Sequence, residues 1–258
     1  LRVIRIKTFI GFFGITRSLR HTIDSIRANV LAPLRASGVP IRLYGHFHLP
    51  PSIDNPRSGE VNLPADPHDS ALLALDACLV EPQDDSLIAE NLAEAKRFPD
   101  ILADDYRSAR NLCFQLRSLA RLWDMMETDV AASAASDETW VAFLRPDLRY
   151  LDPFPWPALR AGIRDNAADL AVPPWHEWGG LNDRFAVAAP RAAAVYARRG
   201  VAPLIAMQAR QGLHGESLLA HAVSAANLRV TPLPVRAVRV RAHGLAEPRD
   251  LAEFGLTE

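Results

Sequence analysis

Four polar clusters in this 258-residue chain combine residue types and spacings that can do chemistry. Thr16-Arg17-Ser18 sets hydroxyls and a guanidinium just ahead of an apolar helical stripe. A helix start beside a cation suits a phosphate; an ordinary capped helix is the plainer alternative. Arg145-Pro146-Asp147 follows the wholly apolar run Trp140–Leu144. A buried strand that delivers a carboxylate at its tip can present a metal ligand, and a divalent ion there would neutralise a diphosphate leaving group. A turn aspartate is the plainer reading. The segment from Trp175 to Phe185, WHEWGGLNDRF, holds two tryptophans, two glycines and acids within eleven residues. Indole faces stack on sugar rings, glycines let a backbone approach a ligand closely, and an aspartate beside them can take a proton from a hydroxyl; a tight turn over buried tryptophans is the alternative. Gly212-Leu213-His214-Gly215-Glu216 opens another helix. Glu216 there is either a ligand contact or an ordinary first-turn acid.

His46 and His48 form an H-x-H pair on one face of a strand, a spacing that suits a metal in several hydrolases. A zinc hydrolase is therefore one reading. No further His/Asp pattern follows, and eight βα repeats are absent, so surface or cleft histidines are the other.

The elements that must position these clusters are legible in outline. Val3–Phe9 reads as a strand, Gly11–Gly14 as a turn, and Leu19, Ile23, Ile26, Val30 and Leu34 as one face of a helix capped by Thr16 and closed by Gly38. Ile41–His48 is a second strand, so the chain opens with a parallel strand–helix–strand unit. Residues 50–70, with Asn55, Arg57, Ser58 and Glu60 among them, are rich in Pro, Asn, Asp and Gly and read as a long loop that is either functional or disordered. Helices are expected over Ser70–Leu79, Ser86–Arg97, Asp105–Met126, Pro190–Arg199 and Glu216–Asn227, with a small-residue loop at Ala131–Ser136. Trp140–Leu144 and Phe185–Ala188 are short buried strands; Arg229–Thr231 and Val235–Ala242 close the sheet. The expected class is α/β, a mixed, mostly parallel central sheet with helices on both faces, folded as a single domain over residues 1–258.

Composition removes several function classes. Lys+Arg number 29 against 30 Asp+Glu, a formal charge of -1, so no global field attracts nucleic acid. Two cysteines, Cys78 and Cys113, give no disulfide framework. No apolar run reaches the roughly 18 residues of a membrane span. Only Lys7 and Lys96 are lysines, which with abundant alanine points to a GC-rich bacterial genome, and makes nearly every available cation a guanidinium.

With these clusters in place, the chain resembles the GT-A-fold glycosyltransferases, in particular bacterial ones that build surface polysaccharides. The resemblance runs through the opening strand and Gly11–Arg17, the helix Arg107–Met126, Arg145-Pro146-Asp147-Leu148-Arg149, Trp178–Phe185 and the strand Val238–His243. The most specific part, Trp178-Gly179-Gly180, is similar to the Trp-Gly-Gly-Glu-Asp-Asp acceptor motif of β-galactosyltransferases. Leu181 stands where that motif has Glu, Asn182 where it has its first Asp, and Arg145 where an Asp-x-Asp metal signature would begin.

The resemblance implies a Rossmann-like nucleotide-sugar half over residues 1–150 and an acceptor half over 151–258. It implies donor contacts from Thr16, Arg17, Arg57, Arg145 and Asp147, and acceptor contacts from Trp178, Gly180, Asn182, Asp183 and Glu216. Asp183 would act as catalytic base in an inverting enzyme or hold the acceptor in a retaining one, Asp147 would act on the leaving group, and Asp147 with His243 would hold Mn or Mg. Arg145 in the Asp-x-Asp position offers the alternative of a metal-independent enzyme. The implied activity is hexosyl transfer from a nucleotide sugar to a saccharide hydroxyl, in the cytoplasm or at the inner face of the membrane. A catalytically inactive carbohydrate- or nucleotide-binding protein of the same fold is the alternative.

Overall fold

The computed structural model describes residues 8–134, 139–165 and 167–257, the Arg57 side chain apart. Among the described residues the eleven strands are β1 (Thr8–Gly14), β2 (Ile41–Leu49), β3 (Ile53–Asn55), β4 (Glu60–Leu63), β5 (Ala77–Pro82), β6 (Trp140–Leu144), β7 (Leu148–Tyr150), β8 (Leu170–Val172), β9 (Ala186–Ala188), β10 (Val230–Pro232) and β11 (Ala237–Arg239). Seven of them form one sheet in the order β10-β8-β9-β6-β1-β2-β5. All neighbours run parallel except β9, which is antiparallel to both β6 and β8. The expected mixed, mostly parallel sheet is what the chain builds, and its strands come from both halves of the sequence.

Alternation along β1 explains the two layers. Ile10 and Phe12 face one side, where α1 (Leu19–Ser25), a π-helical segment (Ile26–Leu31) and α2 (Ala32–Ala36) supply Leu19, Ile23, Ile26, Val30 and Leu34. Phe9 and Phe13 face the other side, against Leu119, Leu122, Trp123 and Met126 of the long helix that follows α3 (Ala89–Lys96), α4 (Arg107–Ser133). Gly11 makes that packing close: a Cβ there would fall 2.5 Å from Leu122 Cδ2. After α5 (Trp156–Asp165), the helices α6 (Pro190–Arg198) and α8 (Gly215–Ala225) join the α4 layer, while α7 (Ala202–Ala209) packs beside α3, and α9 (Pro248–Glu253) closes the chain. Among the described residues no helix is long and apolar enough to cross a membrane.

Several expectations shift. Residues 1–7, the first part of the expected strand Val3–Phe9, lie outside the described residues; β1 continues through Gly11 to Gly14, so the expected turn is strand. The first helix is entered at Ser18, not capped by Thr16. Ser70–Leu79 is not a helix: a short 3-10 turn (Asp69–Leu73) leads into the edge strand β5. Alanine's helix propensity carries α4 through Ser133, past the expected loop start at Ala131. The loop 50–70 contains the hairpin β3–β4, and Val235–Ala242 is strand only over Ala237–Arg239, paired with β7.

Candidate active site

In open α/β sheets a ligand sits beyond the carboxyl ends of the strands. At that edge of β1, β2 and β6 lies a cleft of about 680 Å³. Because β9 runs antiparallel, the residues that precede it, including Asp183, arrive at the same edge. Arg17, Arg145, Asp147, Asp183 and Glu216, all singled out in the sequence, line this one cleft. Pro50 to Asn55 form another part of its wall.

The floor is an alternating row of guanidiniums and carboxylates. Arg145 grips Asp147 bidentately, Nε to Oδ1 at 2.9 Å and Nη2 to Oδ2 at 2.7 Å. Arg17 Nη2 donates to the same Oδ2 at 2.7 Å, and its Nη1 reaches Glu60 Oε2 at 3.3 Å. Glu60, fully buried on β4, also accepts from the Ala242 N–H at 2.8 Å and lies 3.8 Å from Arg241 Nη1. Arg241 is bound in turn by Glu247. Burial alone would raise the Asp147 carboxyl, but Arg145 and Arg17 more than offset that and hold it well below the usual carboxylate range. Arg145 is tightened in the same way by Asp147.

The opposite wall carries carboxyls. Gln115, on α4, bridges the two sides: its Oε1 accepts from Arg145 Nη1 at 3.0 Å and its Nε2 donates to Asp183 Oδ2 at 2.7 Å. Arg199 Nη2 is 3.5 Å from the same oxygen, and the Tyr196 hydroxyl donates to the Asp183 carbonyl at 2.8 Å. Glu216 sits in the first turn of α8, its Oε2 3.1 Å from His214 Nδ1. Burial, and next the Asp183 carboxylate, push Glu216 up to about 8. Two glycines permit this approach. A Cβ on Gly215 would fall 2.6 Å from Asp183 Oδ2, and one on Gly180 would fall 2.2 Å from the Glu216 carbonyl oxygen. The Leu181 N–H donates to that same carbonyl at 3.0 Å, which docks the Trp-Gly-Gly turn on the start of α8.

Other expected site residues stand elsewhere. Trp178 is 56% exposed, stacked on His176 with ring centroids 5.2 Å apart, and does not line the cleft. Gly180 lies beneath Glu216 rather than on the cleft surface. Asn182 is fully buried: it donates to the Trp175 carbonyl at 2.6 Å and accepts from the Arg184 N–H at 3.0 Å, which braces the turn. Thr16 contributes its carbonyl to the Leu19 N–H. The Arg57 side chain lies outside the described residues. Gln115, Arg199 and Arg241 were not singled out from the sequence as site residues. Arg241 had a signal, the alternation of Arg239 and Arg241 on one strand face; Gln115 had none, because it sits within the stripe of a long amphipathic helix.

The histidine pair is no metal centre. Ser118 Oγ accepts from the Gly14 N–H at 2.8 Å and donates to the His46 carbonyl at 2.7 Å, so the 3.0 Å contact between His46 Nδ1 and Ser118 Oγ is donated by the ring. Ser118 is thereby a strut joining β1, β2 and α4, and the His46 ring is held against it. His48 lines the cleft, its ring edge-on to Phe114 at 5.0 Å. Burial lowers both rings to about 4, opposed at His46 by the Glu81 carboxylate, whose Oε2 lies 3.3 Å from Nε2.

The expected Mn or Mg site fits no better. Both Asp147 oxygens already accept guanidinium hydrogens, so a cation there would face two positive charges. His243 is exposed, accepts from the Leu245 N–H at 3.3 Å, and does not line the cleft. Among the described residues no group of three or more His, Cys, Asp or Glu could hold a metal ion.

No family model matches the sequence, and no curated protein does. Among solved structures, the chain is similar to mouse xyloside xylosyltransferase 1, at 12% identity and TM-score 0.42 over 88% of this chain and 84% of that one. It is similar to a putative nucleotide-diphospho-sugar transferase from Desulfovibrio desulfuricans, at 12% identity and TM-score 0.36 over 89% and 80%. It is also similar to the galactosyltransferase LgtC crystallised with donor and acceptor sugar analogs, at 9% identity and TM-score 0.42 over 88% and 72%. Likenesses of this strength say nothing about chemistry, which has to be read from the cleft.

Proposed function

We propose that the chain is a glycosyltransferase that moves a sugar from a nucleotide-sugar donor to a carbohydrate hydroxyl. One observation carries this reading. A single cleft at the carboxyl edge of the sheet joins a floor of guanidiniums (Arg17, Arg145, Arg241) to a wall of carboxyls (Asp183, Glu216). The first suits a departing diphosphate and the second an attacking hydroxyl. A volume of about 680 Å³ is within the range of pockets that enclose ligands of this size.

In the proposed reaction the acceptor oxygen attacks the anomeric carbon. The bond from that carbon to the donor diphosphate breaks, and its electron pair leaves with the diphosphate. Arg17 and Arg145 stabilise the developing negative charge, and Asp183 takes the hydroxyl proton. Glu216, whose carboxyl burial pushes toward the protonated form, donates a hydrogen bond to the acceptor. Trp178, exposed outside the cleft, offers a stacking face for a more distant part of the acceptor. Residues 1–150 supply most of the donor side, with Thr16 and Arg57 as further contacts and the β3–β4 hairpin as its lid. Residues 151–258 supply the acceptor side. The place of such an enzyme would be bacterial surface-polysaccharide synthesis, with a hexose donor, in the cytoplasm or at the inner face of the membrane.

A second reading, a binding protein without turnover, is favoured by one contact: Asp183 Oδ2 is already taken by Gln115 and Arg199. A thermal-shift screen tests the donor site shared by both. At least one nucleoside diphosphate should raise the melting temperature, and no rise with any of them would contradict both. Donor turnover then separates them.

A further inference from the structure

The carboxylate that would have to hold a catalytic cation is instead the anchor of a guanidinium pair, and the cations of that floor face the cleft. Arg17, Arg145 and Arg241 line it, with side chains 10%, 19% and 9% exposed against 2% for Asp147. Glu60 and Glu247, which compensate Arg17 and Arg241, are not part of the lining. Their negative charge therefore lies outside the lining, while part of each of the three guanidinium side chains is at the cleft surface. Arg145 spends three of its five N–H hydrogens on Asp147 and Gln115. Arg17 Nε is buried and has no partner among the described residues. A buried donor without an acceptor is costly unless a ligand satisfies it. Arg241 is lowered by burial and, next, by the positive charge of Arg17, so the crowded cations favour an incoming anion.

We propose that this row is a metal-independent diphosphate clamp: Arg17, Arg145 and Arg241 bind the two phosphoryl groups through guanidinium N–H bonds in the place a divalent cation would otherwise fill. The inference rests on the transferase reading for the identity of the ligand, but the clamp itself requires only a diphosphate. Planar guanidiniums match phosphate oxygens in pairs, so the geometry selects phosphate over a simple point-charge attraction.

The test is calorimetric titration of inorganic pyrophosphate into the whole chain, once in EDTA and once in excess Mn²⁺, with a titration of Mn²⁺ alone. The clamp predicts pyrophosphate binding in EDTA that is as tight as, or tighter than, binding in Mn²⁺ buffer, and no heat from Mn²⁺ alone. Arg145→Lys keeps the charge but loses the fork, and should weaken pyrophosphate at least about tenfold in EDTA. Pyrophosphate that binds only with Mn²⁺, or that binds in neither buffer, would overturn the clamp on the wild-type chain alone, whether or not the variant folds. The two readings fail separately. Sugar transfer that requires Mn²⁺ would keep the transferase and remove the clamp. Pyrophosphate binding in EDTA with no nucleotide sugar turned over would keep the clamp and remove the transferase.

Discussion

Arg145 and Asp183 are joined through one side chain: Gln115 accepts from Arg145 Nη1 at 3.0 Å and donates to Asp183 Oδ2 at 2.7 Å. The cationic floor and the carboxyl wall of the cleft are therefore held at a fixed separation by the rigid helix α4 rather than by either loop. Gln115→Leu removes both bonds and leaves Asp183 short of a donor. It should cost about 1–3 kcal/mol in chemical denaturation, the usual range for stranding a buried polar partner. In the proposed reaction it should lower turnover more than donor affinity, because the donor is held by other groups.

Asp147→Asn tests the floor directly. The sequence suggests a loop carboxylate whose loss would move the melting temperature by only a few degrees. The structure places it, almost fully buried, between two guanidiniums, and removing one partner of such a set costs about 3–5 kcal/mol. A melting temperature within a few degrees of wild type would contradict this placement. The pH sign follows from the lowered carboxyl. Its contribution is fully present above the unfolded value near about 4 and is lost as pH falls further toward the folded one. The wild-type advantage over Asp147→Asn should therefore shrink only below about pH 4.

Glu216 gives the opposite slope. Its carboxyl is raised to about 8 in the folded chain. Between the unfolded value of about 4.3 and that point the folded state binds more protons than the unfolded one, so stability falls as pH rises through this window. Glu216→Gln, which mimics the protonated form, should gain on wild type progressively from about pH 5 to pH 8 in denaturant titrations. A difference that does not change with pH would mean that Glu216 is not raised. Asp183, Arg184 and Arg239 face the same carboxyl, and the charges of Arg184 and Arg239 lower it, so the rise survives two nearby cations.

Gly180→Ala should disturb the cleft from below. The added Cβ would meet the backbone of Glu216 and Ser217 rather than a flexible side-chain end. Overpacking of this kind costs about 1–3 kcal/mol. An alanine variant with an unchanged melting temperature would show that the Trp-Gly-Gly turn does not dock on α8 as described.

Much of the frame was legible because it is local. The stripe Leu19–Leu34 and the apolar run Trp140–Leu144 each carry their own periodicity, and both appear in the structure where expected, with Asp147 at the cleft just past the second. The end of the expected helix Ser70–Leu79 is the start of β5, an edge strand whose exposure alternates while Ala77, Cys78, Leu79 and Val80 are all apolar, so the sequence there carries none of the polar–apolar alternation that marks a strand. The site's wiring was not legible at all. Arg17 meets Glu60 across 43 positions and Asp147 across 130, and Gln115 meets Asp183 across 68. Such pairs leave no spacing to read. Asn182 shows the converse: in sequence it sits beside Asp183 and looks equally available, but the turn uses its amide to hold Trp175 and Arg184.

The most direct test of the central claim is release of nucleoside diphosphate from a panel of nucleotide sugars, by wild type and by Asp183→Asn, with simple saccharides as acceptors. The account predicts that wild type turns over at least one donor and attaches its sugar to an acceptor, while Asp183→Asn binds that donor with similar affinity and transfers nothing. Wild-type protein that releases no nucleoside diphosphate from any donor, or an Asp183→Asn variant that transfers as fast as wild type, would contradict it.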